Sequence, residues 1–281
     1  KHSFTDTLLS PRIAVVYAPS DRHVMKLIYS IANRRPGDDE LKLEHWHSHH
    51  NGDEETLKSL EMRWECGHSE RWVYAVSTFL NEQQLVSFGE IGGAGRNVRV
   101  GQLDSWGLEA EARWNFKNWS AELSHGYMDL IDYTLRSEDA IQIISAHPYG
   151  YGSDIAGWSN HISKLMLSYK ISDQLDVNSS WVYYHGFPGD EDLARFNRNA
   201  PEGPYDFIGL AAEGYDKPFG PSLYWTISFD YRPVPTLSVQ LAIHQIAQSW
   251  DDHLTKRSYL GNTSTYRSEP LSASLQLRFE F

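Results

Sequence analysis

The sequence predicts an all-β fold, an antiparallel β-barrel that crosses a membrane with strands. Three observations lead there. The closing stretch, Leu271 to Phe281, places Leu271, Ala273, Leu275, Leu277, Phe279 and Phe281 on one face and Ser272, Ser274, Gln276, Arg278 and Glu280 on the other. Side chains alternate across a strand, so this pattern has a period of two and no helical component. The same alternation recurs along the chain, between connections that switch from tight turns to long loops. No run approaches the roughly 20 apolar residues of a membrane helix, which leaves strands as the spanning elements.

The strands follow in order. The first, Leu8 to Tyr17, turns at Ala18-Pro19-Ser20-Asp21 into the second, His23 to Ile31. A long polar segment, Ala32 to Asp53, leads to the third, Glu55 to Cys66, with Leu60, Met62, Trp64 and Cys66 opposed to Glu61, Arg63 and Glu65. Gly67-His68-Ser69-Glu70 turns into the fourth, Arg71 to Leu80 and on to Phe88. The glycine-rich stretch Gly89 to Asn97 reads as a loop. The fifth strand, Val98 to Phe116, opposes Trp106, Leu108, Ala110, Ala112, Trp114 and Phe116 to Glu109, Glu111, Arg113 and Asn115. Only Lys117-Asn118 separates it from the sixth, Trp119 to Leu135. A long loop, Arg136 to Asn160, precedes the seventh, His161 to Ile171. Ser172-Asp173-Gln174 then leads into the eighth, Leu175 to Phe187. The longest loop, Pro188 to Pro221, precedes the ninth strand, Ser222 to Arg232. Pro233-Val234-Pro235-Thr236 turns into the tenth, Leu237 to Ala247, and a last loop, Gln248 to Ser268, leads to the closing strand.

Every second connection is therefore long. A β-sandwich gives no reason for that, and no self-similarity at the 40 to 50 residues of a propeller blade is present. The strands number about eleven, whereas single-chain bacterial barrels close antiparallel with an even count. On closure the first and last strands would run the same way. The expectation is a carboxy-terminal half of a roughly 22-stranded plugged barrel.

Composition narrows the partners. Ten tryptophans and sixteen tyrosines suit interfacial girdles, or equally a sandwich core, in a chain of mean hydropathy −0.51. A net charge of −12 argues against nucleic acid. The single Cys66 supports neither an internal disulfide framework nor a zinc finger. No apolar segment follows Lys1-His2-Ser3-Phe4, so no signal peptide is visible; a secreted origin would mean that the start has been removed, or that the chain is a piece of something longer.

Several segments resemble the TonB-dependent receptors. Leu9-Ser10-Pro11-Arg12-Ile13-Ala14-Val15-Val16-Tyr17-Ala18-Pro19 is similar to that family's strand-and-turn motif, and Leu27 to Pro36 to the segment after it. Glu40-Leu41-Lys42-Leu43-Glu44 stands where the family often has Leu-Lys-Pro-Glu, with Leu43 in place of the proline. Ser105-Trp106-Gly107-Leu108-Glu109-Ala110-Glu111 resembles its strand after an Asn/Gly-rich loop, and the terminal Phe281 its assembly signal. The resemblance spans nearly the whole chain, but the family's plug, TonB box and first barrel strands have no counterpart in it. It implies an integral protein of the bacterial outer membrane that takes up a scarce ligand: an iron–siderophore, haem, cobalamin, a metal complex or a glycan. The implied partners are the rest of the barrel and its plug, the TonB–ExbB–ExbD energy-coupling complex reached through that plug, and outer-membrane lipid or lipopolysaccharide. No cofactor is implied.

Candidate binding residues lie in the outer loops. His45, His47 and His49, with His50, would share a face if extended, and neutral imidazoles suit zinc, copper or nickel. The plainer reading is a solvated acidic loop tip, since Asp38-Asp39-Glu40 and Asp53-Glu54-Glu55 flank it. Arg34, Arg35, Arg96 and Arg99 would grip an anionic chelate, or pair with surface anions or acidic neighbours. Trp46, Tyr149, Tyr151, Tyr205 and Tyr215 are aromatic ligand contacts or girdle and loop-packing residues. The inward charges Glu61, Arg63, Glu65, Glu109, Glu111, Arg113, Asp230, Arg232, Arg278 and Glu280 would pair with one another or with a plug. No G-x-S-x-G, H-E-x-x-H or comparable motif supports an enzyme. A non-transporting barrel or adhesion scaffold is the alternative, and an outer-membrane hydrolase a more distant one.

Overall fold

A computed structural model describes residues 8–34, 54–69, 71–91, 94–135, 159–188, 221–249 and 271–280. Its described strands form one antiparallel sheet in sequence order: β1 (Arg12–Ser20), β2 (His23–Arg34), β3 (Glu55–Ser69), β4 (Trp72–Ile91), β5 (Ala94–Phe116), β6 (Trp119–Leu135), β7 (His161–Lys170), β8 (Leu175–His185), β9 (Ser222–Val234), β10 (Leu237–His244) and β11 (Ser272–Phe279). The sheet is open. β1 and β11 are its two edges, and every residue of both is exposed.

Cross-strand register proves that the two faces are continuous. Val15 opposes Leu27, Leu27 opposes Met62, and Met62 opposes Thr78, then Leu108 and Tyr127. From there the same face runs through His161 and His185, and its other rows reach Leu241 and Leu275 through Phe229. Large apolar side chains on it stay exposed, including Met62, Leu108, Leu123 and Leu275. This is the lipid-facing side. Two aromatic levels bound it. Trp72, Trp114, Phe116 and Trp119 stack beside the short turns, with Trp114 and Trp119 3.9 Å apart. Trp106 and Tyr127 meet at the far level, 5.6 Å apart. Trp106 and Phe116 are ten residues apart on β5. At about 3.4 Å per residue and a tilt of about 40°, that is about 26 Å, the height of a barrel's apolar band.

Two expectations are corrected. The described residues of 89–97 are strand and not loop: β4 continues to Ile91, β5 starts at Ala94, and Gly89 pairs with Arg96. Glycine weakens a strand without forbidding it, and here a ladder of twenty rungs carries pairing through the glycines. Short and long connections therefore do not alternate strictly. β10 ends at His244 rather than Ala247, because Gln245 adopts φ 60° and a 3₁₀ turn, Ile246–Ser249, follows.

β4, β5 and β6 have 20, 23 and 17 residues, well beyond the roughly 9–11 needed to span. Their far ends stand above the bilayer. On the lipid-facing side the chemistry changes there accordingly: Lys58 donates to Glu82 at 2.7 Å, and Glu82 opposes Asp104.

Within the apolar band, polar groups are paired, as the absence of water demands. The indole N–H groups of Trp181 and Trp225, rings stacked at 4.4 Å, donate to the Ser179 hydroxyl at 2.7 and 2.9 Å. Thr78 donates to the Gly107 carbonyl at 3.0 Å. Ser179→Ala would remove the acceptor that the two indoles share, costing about 1–3 kcal/mol, while Ser179→Thr would retain most of the stability. Denaturant midpoints of the assembled barrel, followed by tryptophan emission, measure the difference.

Candidate functional site

The lumenal face carries the charge. β2 and β3 bring Lys26 beside Glu65, Nζ to Oε1 at 2.8 Å, and Arg63 Nε reaches the same carboxylate oxygen at 2.7 Å. The Arg63 guanidinium also forks onto Glu111 of β5, at 3.1 and 2.9 Å, and donates to Ser77 of β4 at 3.0 Å. One arginine therefore ties three strands together across the lumen wall. Two-point Arg–carboxylate pairing is the strong form of such contacts. The group is only partly covered, with side-chain exposures of 20% for Arg63, 29% for Glu65 and 26% for Glu111. The ladder thus keeps an accessible side directed into the lumen.

Above it Phe79 lies across Gly107, its opposite number on β5. A Cβ at Gly107 would stand 2.2 Å from the ring, so only glycine leaves room for it. Phe79, Glu109, Glu111, Ser124 and Ile162 line a lumenal hollow of about 250 Å³.

A second polar patch occupies β8 to β11. Asp230 accepts from Asn178 at 2.6 Å and from Gln240 at 2.7 Å. Arg232 approaches Asp176 at 4.0 Å, and Arg278 pairs with Glu280 at 3.3 Å. Asp230, Arg232, Gln240, Gln276, Arg278 and Glu280 line a concavity of about 480 Å³ near the short-turn end. A wall studded with both signs of charge accommodates a polar body against it. No Ser–His–acid arrangement forms on this wall among the described residues.

The charges expected to face inward do so; Arg63, Glu65, Glu111, Arg113, Arg232, Arg278 and Glu280 form ion pairs, and Asp230 accepts from two neutral amides. The sequence pattern missed Lys26, Glu122 and Asp176, although each shares the dyad phase of the lumenal residues. Glu122 binds Arg113 at 3.1 Å. Of the proposed ligand contacts, Arg34 ends β2 on the lumenal side and pairs with Glu55, Nε to Oε2 at 2.5 Å. It is 75% exposed, so this acidic neighbour leaves much of the guanidinium accessible. Arg96 lies on the backbone of β5 opposite Gly89. Arg35, His45, Trp46, His47, His49, His50, Tyr149, Tyr151, Tyr205 and Tyr215 lie outside the described residues.

Residues 1–243 match the family described as "TonB dependent receptor-like, beta-barrel". No curated protein matches the chain. Among solved structures, the FrpB iron transporter from Neisseria meningitidis (F3-3 variant) is 15% identical with a TM-score of 0.63 over 97% of this chain and 39% of its own. The siderophore receptor PirA from Acinetobacter baumannii is 14% identical, TM-score 0.60, over 99% of this chain and 42% of its own. The copper transporter OprC is 12% identical, TM-score 0.57, over 97% and 38%. At these identities the likeness is one of fold. The chain spans about two fifths of the length of the structures it matches.

Arg63→Met would leave Glu65 with Lys26 alone and Glu111 without its two-point partner. The expected loss is about 1–3 kcal/mol, less than for a fully buried pair because water reaches the group. Adding Glu111→Gln to that variant should recover part of the loss. Denaturation of the assembled barrel in the single and double variants checks both statements.

Proposed function

The chain belongs to the TonB-dependent receptor-like β-barrel family, and on that premise we propose that it forms the carboxy-terminal part of an outer-membrane transporter barrel. The observation that carries this is the open eleven-strand sheet, apolar outside and charged inside. In lipid, the unpaired backbone of β1 and β11 must find further strands. Receptors of this family are bacterial outer-membrane proteins with a plug that couples to TonB, and the charged wall supports a plug resting on it. The plug and remaining strands are supplied by another stretch of the same protein or by a separate chain. The energy source is then the TonB–ExbB–ExbD complex acting through the plug.

The cargo is a scarce ligand taken from outside, in the class of the iron and copper substrates named for FrpB, PirA and OprC. Arg34 supports an anionic chelate: it stands at the outer rim of the lumen with most of its guanidinium accessible. Arg35, Trp46, Arg96, Tyr149, Tyr151, Tyr205 and Tyr215 are the further proposed contacts, and His45, His47, His49 and His50 the proposed metal ligands. The reading is one of transport without catalysis.

Intact mass of native, detergent-extracted material is the first test. Co-migration with strands and a plug from beyond this chain is the expected result, with accumulation of a ferric chelate that stops when TonB is removed. A lone 32.2 kDa species that behaves as a closed, heat-resistant barrel would overturn the proposal. Under iron restriction, Arg34→Ala in the intact receptor should raise the chelate concentration needed for half-maximal uptake about tenfold, the loss of one charge-assisted contact.

A further inference from the structure

The last rung that β7 shares with β8 is a pair of histidines, on the outward face of the sheet and apart from the lumenal site. His161 opposes His185 on β8 and Tyr127 on β6. The two imidazoles stack nearly parallel, 4.5 Å apart with 4° between their planes. His125 of β6 completes the group, 5.5 Å from His161 and 6.3 Å from His185, its Nε2 3.4 Å from His161 Nδ1.

Backbone contacts converge on the same rung. The buried Ser159 hydroxyl lies 2.7 and 2.9 Å from the carbonyl oxygens of His161 and His185. The Asn160 amide donates to the Gly186 carbonyl at 2.8 Å, and the Met128 amide to the Asn160 carbonyl at 2.9 Å. Gly186 adopts φ 72°, and a Cβ there would stand 3.1 Å from His161 Cδ2, so the chain leaves β8 close against the ring. The rung therefore fastens three strands where β7 begins and β8 ends. The chain enters β7 from the segment carrying Tyr149 and Tyr151, and leaves β8 into the one carrying Tyr205 and Tyr215.

Few charged groups face the rings. β5 presents Trp106, Leu108 and Ala110, and β9 presents Leu223; none carries charge. On β7 the Ser163 hydroxyl lies 2.8 Å from His125 Nδ1, and on β8 Tyr183 lies 5.1 Å from His185. On β6 Tyr127, 4.8 Å from His161, donates its hydroxyl to Asp129 at 3.0 Å. That carboxylate also accepts from the Leu130 and Asn160 amides, at 3.0 and 3.4 Å. Lys164 and Glu109 have the opposite phase and face the lumen. His161 thus meets the charge of His185 and His125 rather than that of a carboxylate.

We propose that His125, His161 and His185 form an acid-released latch, which joins the outer ends of β6, β7 and β8 while the rings are neutral and frees them when the rings charge. Neutral imidazoles stack and share a hydrogen bond, whereas two or three imidazoliums at these separations repel. In the released state each ring stands in water and takes its proton in the ordinary histidine range, at about pH 6.5. The released state therefore binds more protons than the latched one. Latching is complete above that range and weakens as pH falls through it. The outer-membrane reading enters at one point: it places this rung towards the external medium, whose acidity the latch would follow.

Hydrogen exchange of the intact receptor in detergent micelles, read by mass spectrometry and corrected for the intrinsic effect of pH, tests the latch. Amides of residues 160–164 and 182–187 should lose protection at least about tenfold between pH 7.5 and pH 5.0, the effect of one extra proton over one pH unit. Those of residues 106–116 on β5 should keep theirs. His125→Gln/His161→Gln/His185→Gln should remove the pH dependence. His185→Phe, which keeps a ring in the stack without its charge, should remove most of it and hold the protection seen at pH 7.5. Equal protection at both pH values in a closed barrel would overturn the latch alone. So would a pH dependence that survives in the triple variant, which would assign it to Asp129 or another group. A receptor that forms no closed barrel yet keeps the pH-dependent protection would overturn the outer-membrane reading and leave the latch standing.

Discussion

The structure depends on backbone hydrogen bonding in a medium that offers none. Each residue of a strand in lipid must pair its N–H and C=O with a neighbouring strand. Ten adjacent pairings achieve this from β1 to β11 and leave one edge of each terminal strand open. Everything else follows from placing that sheet: which face meets lipid, which meets water, and where further strands must join.

The two faces solve opposite problems. Outside, the few polar groups are consumed locally, as when one serine hydroxyl accepts from two indoles. Inside, charge is shared over long sequence distances, as when Arg63 holds carboxylates two and forty-eight residues away. The first arrangement hides polarity from a solvent that cannot hydrate it. The second keeps polarity available to whatever occupies the lumen.

Strand phase was legible because lipid on one side and water on the other write a period of two. β6 begins and ends where the alternation says, at Trp119 and Leu135. The inward placement of Glu61, Arg63 and Glu111 followed from the same count. The continuation of β4 and β5 through their glycines was not legible, because composition reports the cost of glycine but not the length of the ladder that outweighs it. Nor was the histidine cluster visible. His125, His161 and His185 are far apart in the chain, and only the register of three strands makes them neighbours. The histidine run from His45 to His50 draws the eye for the opposite reason, its members being adjacent in sequence. The residues that would choose a ligand are mostly in loops, where no periodic environment constrains them.

The order of the sheet has a consequence for assembly. Since each described strand pairs only with its chain neighbours, every pairing closes a hairpin, six of the ten across a tight connection and four across a long one, and loop-closure entropy rises only slowly with that length. The sheet can grow one hairpin at a time without any distant search. The costly encounter is reserved for the end, when the outer edges of β1 and β11 meet strands from elsewhere. Closure of the ring, rather than growth of this half, would then set the pace of biogenesis.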